Sequence, residues 1–411
     1  MRNRAVVQTR FPGKGECSLE LVDRPVPKAS PGTVVIRLTT RSVNPNDLTN
    51  IRDNKLQSLQ DDHHPVIGSE GYGRIFEVGE GVTKFKVDQR VVPILYWKYY
   101  LGKGEGAWQD YVEVAEEDVV AVPSTLSDES AAQYLINPWT AYGLLSDVDV
   151  PQGMYLLQTA ASSTIGRQII QICKHWNIKT INVVRRDEYV QELKSIGADE
   201  VINSSTEDVV KRVKQITNGA GAYAAVDAVG GILTKVLFHL CNLNVHNSST
   251  FAVSKSIIGL RAQSLVSDSI HLLVSQLANG CSIFEGLGYI IVLLVLDLSR
   301  LFMSMVFIRM QDVAASVQDG GRVFVYGTLG GWDVTVSKLD LIRNVEIKYY
   351  RLTRWLERGN NKEKVMRDVM RYLEVGVLVP NSGKKFDLED FRAAICESER
   401  DARGGKVLLV S

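Results

Sequence analysis

The chain has 411 residues, 45% of them hydrophobic, and its 47 basic side chains balance 47 acidic ones. That length predicts two or three domains, while a formal net charge of zero argues against nucleic acid or an acidic membrane surface as a general partner. Five cysteines (Cys17, Cys173, Cys241, Cys281, Cys396) stand without any CxxC spacing, which fits reduced thiols in an intracellular compartment better than a disulfide framework.

The N-terminus carries Arg2, Arg4 and Arg10 but no apolar run, and Ala5-Val6-Val7 already reads as a strand. No room is left for a presequence, so the expected location is cytoplasmic, with mitochondrial as the alternative. Residues 1–122 are rich in strand signals: Arg4 to Gln8, Ser18 to Leu21, Thr33 to Thr39, Gly71 to Val78, Arg90 to Ile94 and Ala107 to Val114. Proline and glycine clusters such as PVPKASPG and VGEGV punctuate them, and the result is a β-rich domain. Within it, Ser42 to Asp47 turns into a short helix, and His64 to Gly71 returns to a strand.

From Ser124 onward the pattern changes. A helix capped by Ser124 is predicted over Leu126 to Tyr134, followed by Asn137 to Tyr142, after which strands and helices alternate at the spacing of a parallel sheet. Gly153 to Arg186 is one complete unit: strand Tyr155 to Thr159, a turn of small residues from Ala160 to Gly166, helix Arg167 to Trp176, and strand Lys179 to Val184. A helix opening directly after a strand aims its free N–H groups at the turn, a ready site for a pyrophosphate. The dinucleotide fingerprint has three glycines there; here Ala161, Ser163 and Gly166 occupy the related positions, with Ile165 beside them. Where an NAD site offers a carboxylate to the ribose 2′-OH, the chain has Arg185 and Arg186, a guanidinium pair suited to a 2′-phosphate. NADPH is therefore the expected cofactor, the other reading of the pair being a solvated loop. Helices over Asp187 to Ile196 and Glu207 to Thr217 alternate with strands at Glu200 to Ile202 and Ala222 to Val229. Strands at Gly321 to Gly327 and Val334 to Ser337, a helix over Lys362 to Val375 and a strand over Gly405 to Val410 complete the pattern.

Ten segments in order carry a resemblance: VNPND (Val43 to Asp47), PVIGSEGYG (Pro65 to Gly73), INPWTAY (Ile136 to Tyr142), QTAASSTIGRQIIQICK (Gln158 to Lys174), INVVRR, LKSIGADEVIN, AVDAVGG, GGRVFVYGTLGG (Gly320 to Gly331), RLTRWL (Arg351 to Leu356) and GGKVLLV. The chain resembles the zinc-free medium-chain dehydrogenase/reductase proteins, within them the branch of 2-enoyl thioester reductases and quinone oxidoreductases. The resemblance implies an α/β fold, a Rossmann doubly wound parallel sheet plus a β-rich GroES-like catalytic domain. It implies residues 1–122 and 346–411 as the two parts of the catalytic domain and 123–345 as the NADPH-binding domain. Zinc members use an early cysteine and a histidine, which here are replaced within Asn44 to Asp47 and by Ser69, so no metal is expected.

The implied reaction is reduction of an activated C=C bond, most like that of a trans-2-enoyl-CoA or acyl-carrier-protein reductase, with quinone or alkenal reduction, or cofactor binding with little turnover, as alternatives. Asn44 and Thr140 are implied to face the nicotinamide, backbone at Tyr326 and Gly327 to cover its ribose, and Lys406 to lie near it. The tyrosine expected eleven residues after Asn44 is replaced by Lys55, a candidate proton donor if burial lowers its pKa and otherwise an exposed loop lysine. Tyr72 and Tyr142 could substitute or be core aromatics. Trp139 and Trp355 suit a substrate wall, with Trp355 in the catalytic set, or are packing alone. A homodimer, paired through the edge strand of the cofactor sheet, is implied as well.

Val236 to Gln311 breaks the pattern. Its 76 residues hold seven charged side chains, against 87 in the other 335, and no proline. Without it the flanking segments join into one amphipathic helix. It reads as an insert, a retained intron translated in frame being the favoured origin. The competing reading is a membrane element over Gly286 to Ile308, which Asp297 and Arg300 near its centre disfavour.

Overall fold

A computed structural model of the chain describes residues 1–9, 18–53, 56, 64–230, 310–327, 338–359, 361–400 and 404–411. The insert, apart from its last two residues, the candidate span within it, the strand expected at Val334 to Ser337, and Lys55 all lie outside these residues.

The first part contains β1 (Asn3–Gln8), β2 (Leu19–Arg24), β3 (Thr33–Ser42), α1 (Pro45–Arg52), β4 (Gly71–Val78) and β5 (Arg90–Pro93). A π-helical turn follows at Tyr96–Leu101, then β6 (Tyr111–Ala115) and β7 (Val119–Ala121). Strand β6 starts four residues later than expected, because Ala107 and Trp108 bond instead to the backbone of Gly68 and Ile67. Helix α2 is shorter than expected, Asp128–Ala131, and Ser127 rather than Ser124 caps it by accepting from the Ser130 N–H.

Helix α3 (Ile136–Val148) leads into β8 (Tyr155–Gln158), α4 (Thr164–His175), β9 (Lys179–Val184), α5 (Glu188–Ser195), β10 (Glu200–Asn203), α6 (Val209–Ile216) and β11 (Ala222–Asp227). After the undescribed stretch come α7 (Met310–Ser316), β12 (Val317–Val325), α8 (Lys338–Ile342), β13 (Glu346–Tyr349), α9 (Leu352–Leu356) and α10 (Asn361–Glu374). Strand β14 (Ser382–Asp387), α11 (Phe391–Ser398) and β15 (Lys406–Val410) close the chain.

Six parallel strands form a sheet in the order β10-β9-β8-β11-β12-β13. The strand order reverses between β8 and β11, the position at which doubly wound sheets open a ligand crevice. Helix α4 covers this sheet because Ile169, Ile170, Ile172 and Cys173, spaced for one face, are all fully buried. Strand β13 pairs with β12, so the boundary expected after residue 345 is corrected: the sheet takes in Glu346–Tyr349 as well. The other large sheet runs β14-β15-β3-β4-β5-β7, with β6 on β3. Strand β15 pairs antiparallel with β3, bringing residues 406–410 beside the chain leading into α1. Buried Arg41 locks this region by donating to the carbonyls of Leu38 and Gln109 at 2.8 and 2.7 Å.

Candidate active site

A chain of buried polar groups links the seven-stranded sheet to the start of α3. Asn44 precedes α1, Glu70 precedes β4 and Lys406 opens β15, and none is more than 1% exposed. The Lys406 ammonium donates to Asn44 Oδ1 at 2.6 Å, while Asn44 Nδ2 donates to Glu70 Oε1 at 2.8 Å and to Ser69 Oγ at 3.2 Å. Glu70 Oε2 accepts the backbone N–H groups of Leu135 and Ile136, both at 2.9 Å, at the start of α3. An anionic carboxylate against free helix N–H groups is favoured by hydrogen bonding and by the dipole. One turn along that helix, partly buried Thr140 donates to the Ile136 carbonyl at 2.6 Å.

Asp47 completes the cluster, its Oδ2 accepting the Asn44 N–H at 3.1 Å. Burial is the main cause that pushes its carboxyl up to about 7; the nearby Glu70 adds to the rise, and Lys406 opposes it. Burial likewise pushes Glu70 upward, against its bonds from Asn44 and Ile136. These donors do not fit zinc. There is no thiolate or imidazole among them, the Asn44 oxygen is already engaged, and a dication would meet the Lys406 ammonium.

The nucleotide turn is built differently. Ala160 adopts a left-handed φ of 48° to turn the chain out of β8, at a cost of roughly 1–2 kcal/mol for a residue with a Cβ. The Ser163 hydroxyl caps α4 by accepting from Gly166 N at 3.1 Å. Any Cβ on Gly166 would lie 2.5 Å from the Ala161 carbonyl oxygen, so the one retained glycine is sterically required. Across the switch point, Thr159 Oγ1 donates to Asp227 Oδ1 at 2.5 Å, tying the ends of β8 and β11 together. Gly327 packs on the Ala228 carbonyl, and the Tyr326 hydroxyl is buried with no hydrogen-bond partner. Arg185 is exposed and Arg186, half-buried, pairs with Glu188 at 3.3 Å. The adjacent Asp187 carboxylate is turned away, accepting from Asn203 Nδ2 at 2.8 Å. A backbone cradle with a free buried hydroxyl and two guanidinium groups beyond it fits a phosphorylated dinucleotide.

Comparison with known proteins agrees with both halves. Residues 30–124 match the alcohol dehydrogenase GroES-like domain and residues 164–245 the zinc-binding dehydrogenase family. A mitochondrial enoyl-[acyl-carrier-protein] reductase of Caenorhabditis elegans is 35% identical over 50% of this chain and 57% of its own length. Its namesake in Dictyostelium discoideum is 26% identical over 93% of this chain and 87% of its own. These matches make the chain similar to the medium-chain dehydrogenase/reductase proteins in both of its parts. A mycobacterial protein solved in complex with NADPH has the same fold, with a TM-score of 0.67 and 21% identity over 99% of this chain and 100% of that one.

Within that frame, the structure gathers Asn44 and Lys406 and places Thr140 on the helix Glu70 holds. Ala161, Ser163, Ile165 and Gly166 share the nucleotide turn with Arg185 and Arg186 at the end of the next strand. Trp139 and Trp355 are both tightly packed. Trp139 is fully buried and stacks on Trp97 with centroids 6.0 Å apart; Trp355, 3% exposed, presses on Gly143 of α3, where a Cβ would lie 2.8 Å from its ring. Tyr72 accepts from Arg90 Nε at 2.7 Å and Tyr142 donates to Asp368 at 2.6 Å, so both substitute donors are engaged elsewhere. Sequence reasoning missed Asp47 and Glu70 as site residues, although both lie inside the motifs that carried the resemblance. It also missed Arg167, which reaches back to the Ser162 carbonyl in the nucleotide turn while pairing with Glu192 at 2.7 Å.

Proposed function

We propose that the chain is an NADPH-dependent reductase of activated C=C bonds whose substrates are 2-enoyl thioesters. The observation that carries this reading is the Lys406–Asn44–Glu70 chain. It places a fixed ammonium and a dipole-oriented amide where metal-dependent relatives need a Lewis acid, and it ties them to the helix bearing Thr140. Bound NADPH supplies the hydride, which goes to the β-carbon. The chain's own groups hold the reactants: Arg185 and Arg186 select the 2′-phosphate, Ser163 and Gly166 shape the pyrophosphate turn, and Asn44 with Thr140 orients the nicotinamide. Lys406 keeps Asn44 in one amide orientation, since an ammonium binds the oxygen and not the nitrogen. The names of the nematode and Dictyostelium relatives support the thioester reading and favour a mitochondrial over a cytoplasmic location.

The same reading includes a homodimer formed through edge strand β13. Leu339, Ile342 and Tyr349, all at least half exposed, supply an apolar surface at that edge. Among the described residues no helix is long and apolar enough to cross a membrane.

Steady-state NADPH oxidation with crotonyl thioester, a quinone and an alkenal tests the assignment. Turnover is expected to be fastest on the thioester, with NADH a poorer donor. Quinone reduction without thioester reduction overturns the substrate class, and cofactor binding without any turnover overturns the enzymatic reading.

A further inference from the structure

Thioester reduction needs a proton at the α-carbon as well as a hydride at the β-carbon, and the groups considered so far leave the donor unassigned. The inference here rests on the thioester reading. The π-helical turn at Tyr96–Leu101 lies against α1, the helix that Asn44 opens. A π turn widens the backbone spiral by one residue and is frequent at functional sites. Here it sets Tyr96 at the seam between two cores, one containing Trp139 and Trp355 and the other Leu48, Ile51 and Tyr100. Its ring meets Trp97 edge-on at 5.4 Å, and Trp97 stacks on Trp139, the residue before Thr140. On the other side the Asn46 and Asn50 amides face its hydroxyl, with Arg351 of the α9 N-terminus contributing charge.

The wall beside Tyr96 is left unsatisfied. Asp47 Oδ1, Asn50 Nδ2 and the Tyr100 hydroxyl are all buried without a hydrogen-bond partner. Unpaired buried polar atoms are rare enough that a group of them on one wall implies a polar guest. A thioester carbonyl with its developing enolate charge is such a guest, accepting from Asn50 Nδ2 and a phenol.

We propose that Tyr96 is the proton donor to the α-carbon of the enoyl thioester. As hydride forms the new C–H bond at the β-carbon, the C=C π pair shifts toward the carbonyl to give an enolate, and the nicotinamide ring is oxidised. The enolate then collapses: its α-carbon takes the proton of Tyr96, the phenolic O–H bond breaks, and solvent reprotonates the tyrosinate. Burial keeps the Tyr96 phenol protonated at neutral pH by pushing its pKa up. Tyr96 is only partly buried and lies at the seam, which gives it a route to solvent for reprotonation; Tyr100, fully buried, has none.

The test is turnover of crotonyl thioester with NADPH in deuterium oxide. The wild type is expected to place solvent deuterium on one face of the α-carbon. Tyr96→Phe, which keeps every ring contact, is expected to lower kcat by about 100-fold, as loss of a general acid does, with KM little changed and deuterium on both faces. Single-face delivery by Tyr96→Phe overturns the assignment, as does loss of selectivity in Lys55→Met instead. Replacing Tyr96 by 3,5-difluorotyrosine provides a second measurement that does not depend on the folding of the Phe variant. Its alkaline limb in the kcat profile should move to lower pH, and its fluorine resonance should shift when crotonyl thioester is added without NADPH. An unmoved limb and resonance overturn the proposal. If the wild type leaves crotonyl thioester untouched, the substrate reading fails first and takes the donor with it.

Discussion

The two ends of the candidate site are built on opposite plans. At the Asn44 end, side chains are fully buried and bonded to one another, with two carboxyls and one ammonium in a low-dielectric setting. At the nucleotide end, backbone and small residues form the turn, and the charges that would read the ligand sit at the surface. Buried charge is strong and unforgiving because each unpaired group bears its full desolvation cost; exposed charge is weak and tolerant because water replaces a lost partner. The first end can fix geometry to a fraction of an ångström, while the second can discriminate between ligands without being essential to the fold.

That contrast can be tested by substitution. Glu70→Ala should have the largest effect, since it leaves two helix N–H groups without their acceptor, the Asn44 amide nitrogen with Ser69 alone, and the Lys406 ammonium without a nearby countercharge. A loss of about 3–5 kcal/mol is expected for breaking a buried charged network, read by urea denaturation; a loss under 1 kcal/mol would show that the network is not under strain when broken. Lys406→Met should be next, lowering kcat/KM by roughly 100-fold, in the range for one preorganised electrostatic contact, with the dinucleotide dissociation constant changed far less.

Asp47 sharpens the comparison through pH. Its folded pKa of about 7 lies above the ~3.9 of an unfolded aspartate, so the native state holds the extra proton between those values. Its contribution is fully present below about pH 4, is lost as pH rises through 7, and is level above that. Asp47→Asn should remove this slope and stabilise the chain at pH 8 by on the order of 2 kcal/mol; a slope that survives the substitution assigns the titration to another group. The smallest effect belongs to the surface end. Arg185→Ala with Arg186→Ala should cut the NADPH over NADH preference by about 10-fold, or ~1.4 kcal/mol, leaving the melting temperature unmoved. A matching loss for both cofactors would mean that the pair supplies charge without reading the 2′-phosphate.

Much of this site was legible along the chain because it depends on local spacing. The strand, small-residue turn and helix around Gly166 follow from hydrophobic periodicity and from the steric demand of one turn, and the arginine pair follows from its position after β9. The 345/346 boundary was misplaced because a four-residue strand with three residues exposed and the fourth half-buried carries little periodic signal, and pairing with β12 decides it. Ser127 displaced Ser124 as a cap for a similar reason: two serines precede the helix, and the prolyl turn at Pro123 holds the earlier one outside it.

Sequence by itself determined the class of fold, the nucleotide turn and, through the motifs around them, Asn44 and Lys406 of the polar cluster, since each rests on neighbours within a few positions. Tertiary structure alone decided which of them meet. Lys406 reaches Asn44 across 362 positions because β15 pairs with β3. Glu70 reaches α3 across 65 because the start of β4 and α3 share one hydrophobic core. The π turn that turns Tyr96 toward α1 has no periodic signature. Contacts of that kind depend on how whole layers pack, and packing is a property of the assembled core rather than of any segment in it.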